Sequence, residues 1–205
     1  MLAIFLDIEA TGLDLMKHVP IDIAFQVVDV TTGKILGSYS KVVKPTKEVW
    51  DRHDPCSIAI NGYTWEMVSQ GIEPLVIREE ILHLFHDLSI QRGKSVFICQ
   101  NPAFDRAFFS QIVDVYTQDR LNWPYHWLDL ASMYWAILSQ KNSIQSIPFP
   151  ETLNLSKNEI AKIYGIPPEV EPHLAMNGVT HLMQCYQAVL NVKFQESTEL
   201  SREKS

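Results

Sequence analysis

The chain has 205 residues, of which 46% are apolar and 20% charged, the size and balance of one ordinary globular domain. No apolar run approaches the ~20 residues that span a bilayer, so a membrane-spanning helix is not expected. The formal net charge of −7 argues against a broad basic face that grips long nucleic acid. It leaves room for a short end held in a pocket where bound cations supply the positive field.

The opening "MLAIFLDI" is apolar but meets Asp7 at once and has no basic flank, so it reads as a buried strand and not as a leader. "IDIAFQVVDV" is a second strand rich in Val and Ile, "TTGK" a turn in which Gly33 supplies positive φ, and "ILGSYSKVVK" a third strand. Short turns between them imply an antiparallel meander. Residues 45–62, with Pro45, Pro55 and Gly62, read as a loop. Helical spacing of Leu75, Ile77, Ile81, Leu82, Leu84, Phe85 and Leu88 predicts a helix from Pro74 to about Ile90. "SVFICQ" reads as a buried strand, "PAFDRAFFSQIVDVYTQ" as a helix, "HWLDL" as a short strand and "ASMYWAILSQ" as a helix. A loop is expected over 141–151. Ser156 and Glu159 form a capping box for a helix ending at Gly165, and a Pro-rich stretch leads to a last helix over Ala175 to Phe194.

This order predicts one α/β domain over residues 1–194, with a mixed five-stranded sheet (an antiparallel meander plus two parallel strands) and helices on both faces. A polar tail is expected over 195–205. Cys56, Cys99 and Cys185 show no C-x-x-C spacing, so neither a disulfide framework nor a structural zinc site is indicated. Each reads as buried filler, and a reducing cytoplasm is the expected setting.

Asp7 and Glu9 are two apart on an otherwise apolar strand, and period two puts both on one face at its carboxyl end. Neighbouring carboxylates repel unless a cation or proton lies between them, and Mg²⁺ and Mn²⁺ prefer such oxygen ligands. The plainer alternative is a strand that has ended with both acids solvated. Gly12 lets the chain turn tightly beside them. Asp105 stands one turn into a helix, where acids are favoured in any case. His173, in the Pro-rich approach to the last helix, has a side chain suited to taking a proton near neutral pH, although a lone His is more often a surface or cap residue.

Taken together, "DIEATGLD", "NPAFD" and "HLAMN" resemble the three motifs of the DnaQ-like, or DEDDh, 3′–5′ exonucleases. "IAINGYTWEMV", "WLDLASMYWA" and "LNLSKNEIAKIYGIP" resemble supporting segments of the same family, so that the resemblance covers nearly all of residues 2–190. It implies a ribonuclease-H-like fold and hydrolysis of single-stranded DNA or short RNA from a 3′ end to 5′-mononucleotides, with two divalent cations, Mg²⁺ or Mn²⁺, and a homodimer as in many relatives. By the same resemblance Asp7 would bridge both ions, Glu9 would hold the ion nearest the attacking water, Asp105 would support the second ion, and His173 would deprotonate the water. Backbone N–H groups near Ala10 and Thr11 would meet the terminal sugar. Leu13 would wedge between the last two bases, with Ile60 and Phe104 as apolar walls, a role that core packing would explain equally well for Phe104. One position departs from the pattern. The family carries Asp five residues after the histidine, where this chain has Gly178. The enzyme reading is therefore an exonuclease with a weakened metal site, and the alternative is a non-catalytic module that binds nucleic-acid ends.

Overall fold

The computed structural model of the chain describes residues 1–195, so that all of the expected polar tail except Gln195 lies outside the described residues. Three strands open the chain, β1 (Leu2–Ala10), β2 (Pro20–Asp29) and β3 (Lys34–Val42). They form the expected meander, and Gly33 takes φ of 73° in the turn between the last two. Short helices α1 (Lys47–Trp50), α2 (Pro55–Asn61) and α3 (Trp65–Ser69) follow, then α4 (Pro74–Asp87) and β4 (Ser95–Cys99). Next come α5 (Pro102–Ile112), α6 (Val115–Arg120), β5 (Trp127–Asp129), α7 (Leu130–Gln145), α8 (Lys157–Ile163) and α9 (Ala175–Leu190).

The sheet order is β3-β2-β1-β4-β5, with β1, β4 and β5 parallel and the meander antiparallel. Alternation along β1 divides the core. Ile4, Leu6 and Ile8 pack with Ile77 and Phe85 of α4 and with Phe108 and Phe109 of α5. Ala3 and Phe5 pack on the other face with Leu130 and Tyr134 of α7, Ile160 of α8 and Val179 and Leu182 of α9. Each fully buried Phe contributes roughly 1.5–3 kcal/mol. The expected mixed five-stranded sheet with helices on both faces is the architecture observed.

Several boundaries differ from expectation, each for a local reason. Residues 45–62 are not a plain loop. Thr46 Oγ1 accepts from the Val49 N–H and Asp54 Oδ1 from the Cys56 N–H, so each starts a helix, and Gly62 at φ of 70° ends the second. The helix expected over 102–118 is two, because Asp114 caps a fresh start by accepting from the Thr117 N–H at 2.9 Å. Helix α7 runs on through 141–145 and stops where Ser146 turns left-handed at φ of 54°. Helix α9 ends at Leu190, before the expected Phe194, with Asn191 left-handed as its cap. Cys99 and Cys185 are buried as expected, but Cys56 is exposed, since it stands in the first turn of α2 with its side chain turned from the core.

Candidate active site

The odd-numbered row of β1 continues past Ala3 and Phe5 to Asp7 and Glu9. Strand β1 pairs with β4 only as far as Phe5 opposite Ile98, while its pairing with β2 runs on to Ala10. Beyond that last parallel pair the sheet is open, and ligands in such sheets sit at the carboxyl ends of diverging strands. Asp105, buried at the start of α5, fills the gap from the side by accepting a hydrogen bond from the Ile8 N–H at 3.1 Å.

A cavity of about 300 Å³ opens here, lined by Asp7, Glu9, Phe104, Asp105, Lys157, Glu169 and His173 among others. Larger grooves of about 550 and 680 Å³ lie along the far half of α9, with no carboxylate or histidine in their linings. Sequence-distant Asp7, Glu9, Asp105 and His173 therefore share one cavity, with Phe104 beside them. Phe104 also packs on Phe108 with ring centroids 4.7 Å apart. Leu13 and Ile60 stand outside the cavity lining, 75% and 57% exposed. Ala10 and Thr11 are buried. The Thr11 N–H is already bonded to Val19 O at 3.0 Å, so it is not free for a sugar. Gly12 matters for packing, because a Cβ there would lie 2.5 Å from His18 Nε2.

The last helix is anchored from the sheet. Helix α9 has no side-chain cap of its own. Asp22 of β2, which stands opposite Glu9 in the antiparallel register, instead accepts from the Ala175 N–H at 2.9 Å and from Tyr63 Oη at 2.6 Å. The His173 N–H donates to Ile60 O at 3.3 Å. These bonds place the histidine over the carboxylates.

Two more side chains join the site: Lys157, which sequence reading missed, and Glu169, an acid of the Pro-rich loop upstream of His173 that could swing in. Lys157, the first residue of α8, is 12% exposed at its side chain and donates from Nζ to Glu169 Oε2 at 2.7 Å and to Gly178 O at 3.3 Å, with Asp7 Oδ1 3.7 Å away. Glu169, only 3% exposed at its side chain, has Oε1 3.9 Å from His173 Nδ1, and Oε1 has no hydrogen-bond partner among the described residues. The loop carrying Glu169 is tied down at two points. Its own N–H donates to Asn158 Oδ1 at 3.0 Å, and His181 Nε2 donates to Pro167 O at 2.9 Å. The signal for Lys157 was its place beside the capping Ser156, whose Oγ accepts from the Glu159 N–H as the capping box predicts. Nothing in the pattern pairs it with Asp7.

Gly178 lies against Asp7. A Cβ on residue 178 would overlap Asp7 Oδ2, so the glycine leaves the Asp7 carboxylate packed on the backbone of α9. Electrostatically the site is over-acidic. Burial pushes the Asp7 carboxyl up to about 6, an effect that Lys157 opposes and Glu169 reinforces. Burial, then repulsion from Asp7, pushes Glu9 up to about 8. Burial raises Asp105 well above the usual carboxylate range, with Asp7 adding to it. Desolvation works against the Lys157 charge, but Asp7 and Glu169 outweigh it and hold its ammonium more firmly than in water. Among the described residues, no three or more His, Cys, Asp or Glu side chains are placed to hold a metal ion together. The donor chemistry nevertheless suits a hard cation, because Asp7 and Glu9 offer paired oxygens that burial strips of solvent and that repel one another.

No protein-family model and no curated protein matches the sequence. Solved structures do match the fold, and those that match include two nucleases. In particular, E. coli exonuclease I in complex with a dT13 oligonucleotide superposes with a TM-score of 0.68 at 19% identity, over 93% of this chain and 40% of that one. Cell-death related nuclease 4 superposes with a TM-score of 0.68 at 17% identity, over 93% of this chain and 64% of that one. The chain thus spans about two fifths of exonuclease I and less than two thirds of the second nuclease.

Proposed function

We propose that the chain is a 3′–5′ exonuclease that hydrolyses single-stranded DNA or short RNA to 5′-mononucleotides. One observation carries this reading: Asp7, Glu9, Asp105 and His173, from three separate stretches of the sequence, line one cavity where β1 outruns β4. The structural likeness to an exonuclease bound to a single-stranded oligonucleotide supports it.

Asp7 and Glu9, with Asp105 behind them, are the residues that would hold divalent cations, two by family resemblance and Mg²⁺ or Mn²⁺ by donor type. When bound, such cations neutralise the phosphate and stabilise the charge that builds on the attacking and leaving oxygens. The chain's own groups do the rest. His173 is half-buried at the mouth of the acidic cavity, where its imidazole takes a proton from water. The buried walls exclude bulk solvent, which strengthens every charge interaction inside. Phe104 offers a ring to the terminal base, and Leu13 and Ile60 offer exposed apolar surface to its neighbours, contacts that tolerate any base. The net charge of −7 fits a short or single-stranded end better than a long duplex. A cytoplasmic setting and a homodimer belong to this proposal. Among the described residues no helix is long and apolar enough to cross a membrane.

A second reading is favoured by Gly178 and by the Lys157 ammonium inside the acidic cavity: a module that binds nucleic-acid ends without cleaving them. Incubating 3′-labelled single-stranded DNA and short RNA with Mg²⁺ or Mn²⁺ separates the two. Mononucleotide release by the wild type that disappears in Asp7→Ala supports the enzyme. Binding without release by the wild type, alongside release by Gly178→Asp, sinks it and leaves the module.

A further inference from the structure

The family pattern places a carboxylate at position 178 to hold a cation beside Asp7. This chain has no side chain at that position, and the charge found beside Asp7 belongs to the protein itself. Lys157 Nζ lies 3.7 Å from Asp7 Oδ1, 2.7 Å from Glu169 Oε2 and 3.3 Å from Gly178 O. Its side chain is almost wholly out of solvent, as is that of Glu169. An ion pair buried this deeply is weak evidence for stability, because desolvating both charges costs about what their attraction returns. Its presence inside the acidic cavity calls for another reason.

We propose that Lys157 is a resident cation that takes the place of one metal ion, so that the chain binds one divalent cation where the family resemblance implies two. This rests on the exonuclease reading. Three features of the site agree with it. A Cβ at residue 178 would overlap Asp7 Oδ2, so Gly178 lets Asp7 lean toward α9 and toward the ammonium. Glu169 is the positioning residue for that ammonium, and it is fixed in turn by Asn158 through its own N–H. The carboxylates left over, Glu9 of β1 and Asp105 of α5, line the same cavity, which leaves oxygen donors for one ion. The unpartnered Glu169 Oε1 is the group that a second ion would recruit if Lys157 were gone.

The test counts ions. Mn²⁺ is titrated into the full chain in the presence of thymidine 5′-monophosphate, and the free ion is followed by electron paramagnetic resonance. The expected result is one tightly bound Mn²⁺ per chain for the wild type and for Lys157→Arg, and two for Lys157→Met, in which Asp7 and Glu169 are released to hold another ion. Two ions in the wild type overturn the proposal, as does a single ion in a Lys157→Met chain whose circular dichroism matches the wild type. Lys157→Gln serves if the methionine variant does not fold, and the wild-type count decides if neither does. No bound ion in the wild type, with no mononucleotide released from labelled strands, sinks the exonuclease reading itself. Mononucleotide release with two bound ions leaves that reading intact and removes only the role given to Lys157.

Discussion

The two walls of the cavity are built on different plans. The sheet wall, at the end of β1 and the start of α5, carries Asp7, Glu9 and Asp105, the acids that the proposed exonuclease would use. The helix wall, from α8 to α9, keeps His173 but puts Gly178, Lys157 and Glu169 where that chemistry would call for an acid and an ion. One wall concentrates negative charge, and the other answers it with a side chain. Loss of one ligand therefore need not end a site. On the proposed reading a neighbouring element meets the same electrostatic demand, and what changes is the number of ions admitted.

The comparison can be broken most decisively at the sheet wall. Asp7→Ala should lower mononucleotide release from a labelled strand by more than about a thousandfold, because a direct ligand counts for more than the ~10–100-fold of a group one layer further out. Activity that survived this change would mean that the sheet wall is not where hydrolysis occurs.

Gly178→Ala probes the contact between the walls. Alanine favours the helix by about 1 kcal/mol over glycine, but its Cβ needs the space that Asp7 Oδ2 fills. Asp7 must move, and a displacement of about 1 Å can cost roughly 100-fold in rate. Single-turnover kinetics beside a thermal melt would separate the two effects. Unchanged rates would show that Asp7 does not rest against α9.

Stability should report the charge imbalance directly. The folded pKa values of Asp7, about 6, and Glu9, about 8, lie above those of free carboxyls. The folded chain thus binds these protons more tightly than the unfolded chain. The stability they contribute is complete below about pH 4 and is lost as pH rises through 6 to 8. In EDTA the melting temperature should fall by roughly 5 °C across that window, and Mg²⁺ should flatten the slope. A profile that is flat without metal, measured by calorimetry, would show the sheet wall to be balanced already.

The smallest effect belongs to the helix wall. Ser156→Ala removes the cap that starts α8 and should cost about 1 kcal/mol in urea unfolding, while Asp7, Glu9 and Asp105 keep their bonding. A loss several times larger would mean that Ser156 supports Lys157 by more than capping.

These walls were unequally legible in the amino-acid sequence. The sheet wall follows from local rules, because period two on an apolar strand puts Asp7 and Glu9 together and Pro102 starts the helix that carries Asp105. Gly33 in its turn and Ser156 at its cap were legible for the same reason. The helix wall depends on groups that meet only after folding. Lys157 reaches Asp7 across the fold, Asp22 caps a helix 153 positions away, and no periodicity encodes either. Short helices α1 and α2 were hidden differently. Their prolines and Gly62 read as loop, while the capping acceptors Thr46 and Asp54 that start them carried too little weight. Leu13 and Ile60 entered by resemblance alone, and their exposure outside the cavity lining leaves their part to the bound strand.

The hold of Asp22 on α9 has a practical side. Because a sheet strand sets the start of that helix, the distance from His173 to the carboxylates does not depend on the connection between α7 and α8. Residues 146–152 of that connection are largely exposed and irregular, the kind of segment that accepts insertions. An affinity tag or a fluorescent domain placed there would leave the reaction centre in register, which makes the stretch a suitable attachment point for following this protein on its substrate.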